Sequence, residues 1–273
     1  MIRKIFSDAN HDAAFKAQGY VILDLLQEKD IQDLWNVFEA VEEKHRYDYV
    51  ASVVLPDFEM REFVHRGISP VMNRFLPQVL DNYKMVLGSF VSKKASSQYG
   101  KFPLHQDPTF TNEETGVGIS VWCPLVDVDK GNGCLGVLPG SQYLNNLYRS
   151  ADMLPYPELV DIIEGTYLKY LPMKAGQVLF MNTRMIHGSP PNLSGLVRPV
   201  AAGVAVPADA SLLCCYNDDV ADPHRSTVFE VPDDFYLTYM MKSMPDTGVP
   251  GKVVSRQMEA LTEEKLATIA VNQ

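Results

Sequence analysis

Apolar and polar residues alternate with helical spacing in the first part of the chain. Between residues 28 and 45 the apolar positions recur every three or four residues, which predicts an amphipathic helix that packs by one face. These positions are Ile31, Leu34, Val37, Phe38 and Val41. A short strand is predicted just before this helix, over residues 20–25. A second helical segment is predicted over residues 69–82, where Pro77 would kink or divide it.

From residue 84 to residue 207 the pattern changes to short apolar runs separated by Gly, Pro, Asn and Asp. Such punctuation predicts a series of strands, and the run from Asp129 to Gly133 is a strong turn signal between two of them. Helical segments return at residues 158–167 and 261–271. The polar, turn-rich stretch 217–225 predicts a surface loop, with a lid as the functional alternative. The pattern therefore predicts a mainly β fold with flanking helices.

Composition favours one compact enzyme domain over residues 1–273. A chain of 273 residues with 46% hydrophobic residues can bury a large core. We expect a helical part at about 1–82, a strand-rich core at about 83–216, and a C-terminal loop and helices at about 217–273. No apolar run reaches eighteen residues and no secretory signal is evident at the start, so a cytoplasmic location is expected and a membrane is not.

Charge and cysteine content exclude some classes of protein. The net charge is −10, and no basic cluster is larger than Lys93-Lys94, which argues against a nucleic-acid partner. A local basic patch could still bind a phosphate or a carboxylate. The four cysteines lack Cys-x-x-Cys spacing, which argues against a zinc ribbon or a disulfide framework. Oligomeric state cannot be predicted, because an interface helix and a core helix share one pattern.

Two histidines and an aspartate carry the chemistry that the sequence predicts. His105 and Asp107 are two residues apart, so in an extended segment both side chains point to the same side and can bind one ion. His187 follows the apolar run 178–181, which predicts a buried strand. Two imidazoles and one carboxylate form the facial triad that binds non-haem Fe(II) and leaves coordination positions open.

The residues after His187 strengthen this prediction, because a lone His-x-Asp pair arises easily by chance. Arg198 leads an apolar stretch into the predicted core, where a guanidinium needs a partner, and its planar fork matches a carboxylate with two parallel hydrogen bonds. Ser189 lies two residues after His187, so its hydroxyl could bond the same carboxylate. A simple turn serine is the alternative for Ser189.

Together these motifs resemble the phytanoyl-CoA dioxygenase-like branch of the Fe(II)/2-oxoglutarate-dependent oxygenases, over about residues 15–205. The motifs that carry the resemblance are Gly19-Tyr20-Val21-Ile22-Leu23, Pro103-Leu104-His105-Gln106-Asp107, Val121-Trp122-Cys123-Pro124-Leu125-Val126-Asp127, Asn132-Gly133-Cys134-Leu135, Pro139-Gly140-Ser141, and His187-Gly188-Ser189 with Arg198. Their combination and order are specific for the family, although not for a substrate. The resemblance implies a double-stranded β-helix core, which is a cupin-like jelly roll.

The resemblance also implies site residues. His105, Asp107 and His187 would bind Fe(II), Arg198 would bind the far carboxylate of the cosubstrate 2-oxoglutarate, and O2 would be the oxidant. Contacts to the cosubstrate or substrate are further expected from Gln98 and Lys93. Candidate walls of the substrate pocket are Trp122, for which a core role is the alternative, Thr109 and Phe110.

Two positions refine the expected chemistry. After Pro139-Gly140-Ser141 the family very often has His, whereas this chain has Gln142, which marks a different loop or pocket. In halogenating relatives a small residue replaces the carboxylate ligand, but here Asp107 is present. Oxidation of a C–H bond is therefore favoured over halogenation.

The sequence thus predicts an oxygenase that hydroxylates an unactivated C–H bond of a small molecule and releases succinate and CO2. The substrate class is expected to be a metabolite or natural-product intermediate, and an acyl-CoA stays possible. Two alternatives remain: a redox-silent cupin-type metal hydrolase or isomerase, and a non-catalytic jelly-roll binding module.

Overall fold

Helices and strands alternate in the N-terminal part of the computed structural model, which describes residues 3–42, 47–151, 154–217, 222, 224–239 and 243–271. The elements in this part are α1 (Ala9–Gln18), β1 (Tyr20–Asp24), α2 (Glu28–Glu42), β2 (Tyr49–Ala51) and α3 (Phe58–Val79). Asp8 and Asp57 cap α1 and α3, because their carboxylates accept hydrogen bonds from free backbone N–H groups of the first turn.

The helix predicted over residues 28–45 is confirmed as α2, and Leu34, Phe38 and Val41 form its buried face. Residues 43–45 of that prediction lie outside the described residues. The second prediction needs correction, because α3 begins at Phe58 and is neither divided nor ended by its two prolines, Pro70 and Pro77. Eight of its residues are buried, and burial contributes roughly 1.5–3 kcal/mol for each large apolar side chain. This outweighs the roughly 3 kcal/mol that a helical proline costs.

The remaining elements are mostly strands. They are β3 (Tyr83–Lys93), β4 (Phe102–His105), β5 (Ile119–Pro124), β6 (Leu135–Val137), the single turn α4 (Val160–Ile162), β7 (Lys169–Leu171), β8 (Gln177–Asn182), β9 (His187–Ser189), β10 (Arg198–Pro207), β11 (Leu212–Tyr216), β12 (Arg225–Val231), α5 (Phe235–Thr238), β13 (Lys252–Ser255) and α6 (Glu263–Val271). The strands form a six-stranded sheet in the order β1-β8-β5-β10-β3-β2, a four-stranded sheet in the order β4-β9-β6-β7, and a three-stranded sheet β11-β12-β13.

The six-stranded sheet is the middle layer of the molecule. One face packs against the N-terminal helices in a cluster that includes Phe38, Ile68, Phe90 and Phe180. On the opposite face, a second cluster contains residues of the six-stranded sheet together with β6 and β7 of the four-stranded sheet. Two antiparallel sheets packed face to face and covered by helices form a jelly roll, so the predicted mainly β, double-stranded β-helix fold is confirmed.

The C-terminal part contains strands that the sequence pattern did not predict. After β11, the strands β12 and β13 extend the third sheet where only a loop and helices were expected. Val228, Phe229 and Val231 supply its apolar positions, although polar residues interleave with them. Residues 218–221 and 223 of the predicted loop lie outside the described residues. Within the described part of the chain, no helix is both long enough and apolar enough to cross a membrane.

Candidate active site

His105 and His187 face each other across two paired strands of the four-stranded sheet. His105 ends β4, His187 begins β9, and the two residues are direct partners in the antiparallel register. Their ring centroids lie 4.0 Å apart. Gly188 permits this close approach, because a Cβ there would lie 3.0 Å from the carbonyl oxygen of Phe102. The pairing brings together two histidines that are far apart in sequence.

Backbone carbonyl groups fix the tautomer of both imidazoles. The Nδ1 atom of His105 lies 3.0 Å from the carbonyl oxygen of Pro103, and the Nδ1 atom of His187 lies 2.9 Å from that of Met185. A carbonyl oxygen can only accept, so each Nδ1 carries the proton and each Nε2 keeps a free lone pair. Burial first, and the neighbouring His187 second, hold the pKa of His105 well below its usual range. The neutral, metal-binding form is therefore favoured.

Asp107 completes a three-residue cluster that fits a divalent metal. Its Oδ1 atom lies 3.8 Å from Nε2 of His105 and 4.0 Å from Nε2 of His187, and the three ligand atoms lie within 4.8 Å of one another. The other carboxylate oxygen accepts a hydrogen bond from the hydroxyl of Ser120. Since both Nε2 lone pairs and one carboxylate oxygen are available on one side, the cluster has the donor set of a facial triad.

A buried ion pair supports the loop that carries Asp107. Arg149 donates from Nη2 and Nη1 to the two carboxylate oxygens of Glu113, at 2.7 Å and 2.8 Å, and both side chains are almost fully buried. The Nε of Arg149 also donates to the backbone carbonyl of Asp107 at 2.8 Å. This bidentate pair holds the Asp107 backbone in place from behind.

The three metal-ligand candidates open into a cavity of about 520 Å³ between the sheets. Most of its wall is apolar, and Trp122 and Phe110, both predicted as pocket residues, lie in it. Arg198 also lines this cavity, with its guanidinium 5.6 Å from the centre of the Trp122 ring. A volume in the range of about 300–1,000 Å³ is typical of small-molecule sites. The site can therefore hold organic ligands beside a metal.

Arg198 is fully buried without a carboxylate partner among the described residues. Its Nη1 donates to the backbone carbonyl of Val91 at 3.3 Å, while Nε has no hydrogen-bond partner. Burial lowers the pKa of Arg198 to about 10, so it keeps its charge at neutral pH. Ser189 lines the same cavity on β9, two residues from His187. A buried cation with free donors is prepared for an anionic ligand.

The geometry of this site agrees with a family that the chain matches. The family model described as phytanoyl-CoA dioxygenase (PhyH) matches residues 6–200. The chain belongs to the phytanoyl-CoA dioxygenase family. A curated relative is the peroxisomal phytanoyl-CoA dioxygenase of Bos taurus, which is 23% identical over 264 residues, with 84% of this chain and 76% of the relative covered.

Solved structures show the same fold. The epimerase SnoN, in complex with Fe³⁺, α-ketoglutarate and nogalamycin RO, matches with a TM-score of 0.54 at 18% identity, covering 93% of this chain and 94% of the other. The α-ketoglutarate-dependent carbocyclase SnoK from nogalamycin biosynthesis matches with a TM-score of 0.52 at 23% identity, covering 80% and 89%. At these identities the likeness establishes the fold only.

Lys93 is buried behind the cavity wall of this phytanoyl-CoA dioxygenase family member. Its Nζ donates to the backbone carbonyls of Ser189, at 3.1 Å, and of Pro190. Burial first, and the charge of Arg198 second, lower the pKa of Lys93 to about 6. Lys93 therefore braces the end of β9 from a position next to Arg198, and its role as a cosubstrate ligand stays a prediction.

Three other predicted or unusual positions lie away from the cavity. Gln98 is exposed in a separate surface cleft with Asp48 and Tyr99. Thr109 is buried, and its hydroxyl accepts a hydrogen bond from the backbone N–H of Arg149 at 3.0 Å. Gln142, which stands where the family very often has His, donates to the carbonyl of Ala17 at 3.2 Å and lines another cavity. None of the three lines the cavity that holds the metal-ligand candidates.

Several residues of the site were not predicted from sequence. Tyr49 lines the cavity from β2, and its ring stacks on Phe102 at 4.7 Å. Ser120 could have been found, because it precedes Trp122 by two residues and therefore shares its face of a strand. Arg149 and Glu113 gave no signal, because nothing in their local sequences indicates that they pair with each other.

Proposed function

We propose that this chain is an Fe(II)- and 2-oxoglutarate-dependent oxygenase that hydroxylates an unactivated C–H bond of a small molecule, with release of succinate and CO2. His105, Asp107 and His187 hold the iron. Arg198 pairs with the far carboxylate of 2-oxoglutarate, and Ser189 donates to the same group. Membership of the phytanoyl-CoA dioxygenase family supports this assignment.

The observation that carries the proposal is Arg198, which has no carboxylate partner among the described residues and lies in the same cavity as the His-Asp-His cluster. A dicarboxylate that chelates a metal through one end needs a cation for the other end. A metal hydrolase of cupin type has no such need, because water and substrate alone fill its open positions. Arg198 therefore favours 2-oxoglutarate chemistry over a redox-silent metal centre.

Each residue of the chain then has a defined task. The Pro103 and Met185 carbonyls keep both Nε2 atoms available by accepting from Nδ1, and Ser120 leaves Asp107 one free carboxylate oxygen. Iron held by these residues would, with 2-oxoglutarate and O2, supply the oxidant: one oxygen atom of O2 would enter succinate as CO2 leaves, and the other would enter the C–H bond. The apolar wall excludes water and holds the substrate, so that the C–H bond to be oxidised lies near the metal.

Halogenation is disfavoured because the metal-ligand set includes a carboxylate rather than a small residue that would admit a halide, and hydroxylation is proposed as the default outcome of C–H oxidation. Structural relatives with the same fold carry out carbocyclisation and epimerisation. These reactions begin from related cofactor chemistry, and the substrate geometry selects between them. Product analysis by mass spectrometry distinguishes them, because only hydroxylation adds one oxygen atom.

The proposal is tested by anaerobic titration of metal-free protein with Fe(II) and then with 2-oxoglutarate. We expect the weak visible charge-transfer band of a chelated 2-oxoglutarate complex in the unmodified protein. Asp107→Ala should lose this band, because it removes one of three ligands. Folded protein that binds metal but gives no band would contradict the proposal and would favour a redox-silent cupin hydrolase or a binding module.

A further inference from the structure

The face of the six-stranded sheet that lines the cavity is polar at one end and becomes apolar towards the other. Tyr49, Lys93 and Arg198 are direct neighbours across β2, β3 and β10 in the antiparallel register. Adjacent strands lie about 4.8 Å apart, so these side chains form one polar row. We call it the polar row. It is the end of the sheet at which an anionic cosubstrate would bind.

The next cross-strand rows along the same face become apolar. The second row contains Ala51, Val91 and Val200, the third contains Ser89, Ala202 and Trp122, and the fourth contains Leu87, Val204 and Ser120. We call these three rows the apolar rows. Phe110 adds a further apolar residue to the cavity wall and belongs to the same buried cluster as Leu87 and Val204.

The two hydroxyl groups within the apolar rows already have partners. Ser120 donates to Asp107, and Ser89 donates to the backbone carbonyl of Phe90 at 3.3 Å while it accepts from the N–H of Val53. Among the described residues that line the cavity, the charged or titratable side chains are His105, Asp107, His187, Arg198 and Tyr49. The first four are assigned to iron and cosubstrate, and Tyr49 lies in the polar row.

The floor of the cavity is open at Ala202. This residue lies on β10, which is paired on both sides, and yet its side chain is partly exposed. With strands on both sides and helices on the opposite face, the exposed surface of Ala202 faces the cavity. Four other lining residues are exposed and also apolar, namely Val54 at 45%, Leu154 at 44%, Pro103 and Ala151. Both the interior and the exposed margin of the cavity thus offer hydrocarbon contacts.

We propose that the substrate of this site is an uncharged, mostly hydrocarbon molecule that lies against the apolar rows, with Ala202 as the residue that sets how large it can be. This inference rests on the proposed function, which assigns the charged groups to iron and 2-oxoglutarate. A zwitterion, a polycation or a CoA thioester would bring charges for which the described lining residues leave no counter-charge. Burying a charge without a partner is strongly unfavourable.

The proposal is tested by binding of N-phenyl-1-naphthylamine, an uncharged apolar dye that fluoresces when it leaves water. The protein is first loaded with Fe(II) and 2-oxoglutarate without oxygen, and the charge-transfer band is recorded before the dye is added. We expect the dye to bind while the band persists, since dye and cosubstrate occupy different rows. A band without dye binding would overturn the inference and leave the proposed function intact.

Size variants locate the dye in the cavity. Ala202→Leu should weaken dye binding by about tenfold or more, because the added methyl groups fill the open floor. Ala51→Leu, on the edge strand β2, provides a second variant if Ala202→Leu does not fold. Leu193→Arg is the matched surface control, since Leu193 is 64% exposed and does not line the cavity. Weaker binding in Leu193→Arg alone would overturn the assignment to the cavity.

Charged competitors complete the experiment. Glycine betaine, kanamycin and decanoyl-CoA represent a zwitterion, a polycation and a CoA thioester. We expect none of them to displace the dye at concentrations at which an uncharged competitor such as anthracene-9-methanol does so. Displacement by decanoyl-CoA at a lower concentration than by the uncharged alcohol would overturn the inference and identify an acyl-CoA site.

Discussion

Two buried arginines in this protein have opposite surroundings. Arg149 makes a bidentate ion pair with Glu113 and donates to two backbone carbonyls. Arg198 is equally buried, but it has one backbone hydrogen bond and no carboxylate partner within the described part of the chain. The same residue type therefore serves two purposes. Arg149 is satisfied by the protein itself, whereas we propose that a ligand carboxylate satisfies Arg198.

The difference has an energetic consequence. A buried ion pair with complete hydrogen bonding stabilises a local arrangement, but loss of one partner leaves an uncompensated charge. An unpaired buried cation is already in that unfavourable state, which ligand binding relieves. The free energy of unfolding should therefore fall when Glu113 is replaced, because Arg149 loses its partner. It should rise when 2-oxoglutarate is added, because Arg198 gains one.

The largest effect is expected for Glu113→Gln, which turns Arg149 into an unpaired buried cation. We expect the free energy of unfolding to fall by about 3–5 kcal/mol, measured by urea denaturation. The neighbouring Glu114 is exposed, so Glu114→Gln is a matched control and should change stability by less than about 0.5 kcal/mol. Similar stability of the two variants would contradict the structural role of Arg149.

Arg198→Met is expected to have the opposite pattern of effects, with a large loss of 2-oxoglutarate binding and no loss of stability. Loss of two charge-assisted hydrogen bonds to the cosubstrate, each worth roughly 1.5–3 kcal/mol, should weaken 2-oxoglutarate binding by about a hundredfold or more. The free energy of unfolding should stay the same or rise, because a buried unpaired charge is removed. Titration of the charge-transfer band gives the affinity, and denaturation gives the stability. A variant with normal 2-oxoglutarate affinity would remove Arg198 from this role.

Added cosubstrate should stabilise the unmodified, metal-loaded protein. At a ligand concentration of one hundred times Kd the expected gain is about 2.7 kcal/mol. Anaerobic thermal denaturation of the protein, loaded with Mn(II) to avoid turnover, measures this as a rise in Tm. Arg198→Met at the same 2-oxoglutarate concentration should show little rise in Tm. An equal rise in Tm in both proteins would contradict the assignment of Arg198 as a cosubstrate ligand.

The smallest effect is expected for Ser120→Ala, which removes the hydrogen bond to the second oxygen of Asp107. Groups that orient a metal ligand typically change metal affinity by about 10- to 100-fold, and we expect the lower value because one oxygen of Asp107 stays free to bind. Competition with a metal chelator measures the affinity for Fe(II). An unchanged affinity would mean that the Asp107 backbone, held by Arg149, suffices to orient the carboxylate.

The mainly β pattern and the metal-ligand candidates were predictable from local patterns, and the jelly roll followed from the family resemblance, whereas the surroundings of the site were not predictable. The two-residue spacing of His105 and Asp107 is itself a geometric signal, and apolar runs predicted the strands around them. Thr109 was predicted near the pocket because it follows this pair, but its hydroxyl bonds to Arg149 instead. That contact joins segments forty residues apart, and no local pattern records it.

Some helix and strand boundaries were predicted wrongly for a similar reason. Proline argued for a broken helix at residues 69–82, yet α3 continues because its apolar face is buried against the six-stranded sheet. In the C-terminal part, polar residues masked β12 and β13, which depend on pairing with β11. In both places tertiary packing outweighed local preference.

Strand β10 has a consequence for how the chain could diversify. It carries Arg198 at one end and Val204 six positions further along the same face, so at about 3.3–3.4 Å per residue these side chains are roughly 20 Å apart. The backbone of β10 thus fixes the distance between the position proposed to bind a carboxylate and the position proposed to contact a hydrocarbon. Substitutions at Ala202 or Val204 can reshape one end without altering this distance, so substrate preference can change while the cosubstrate stays the same.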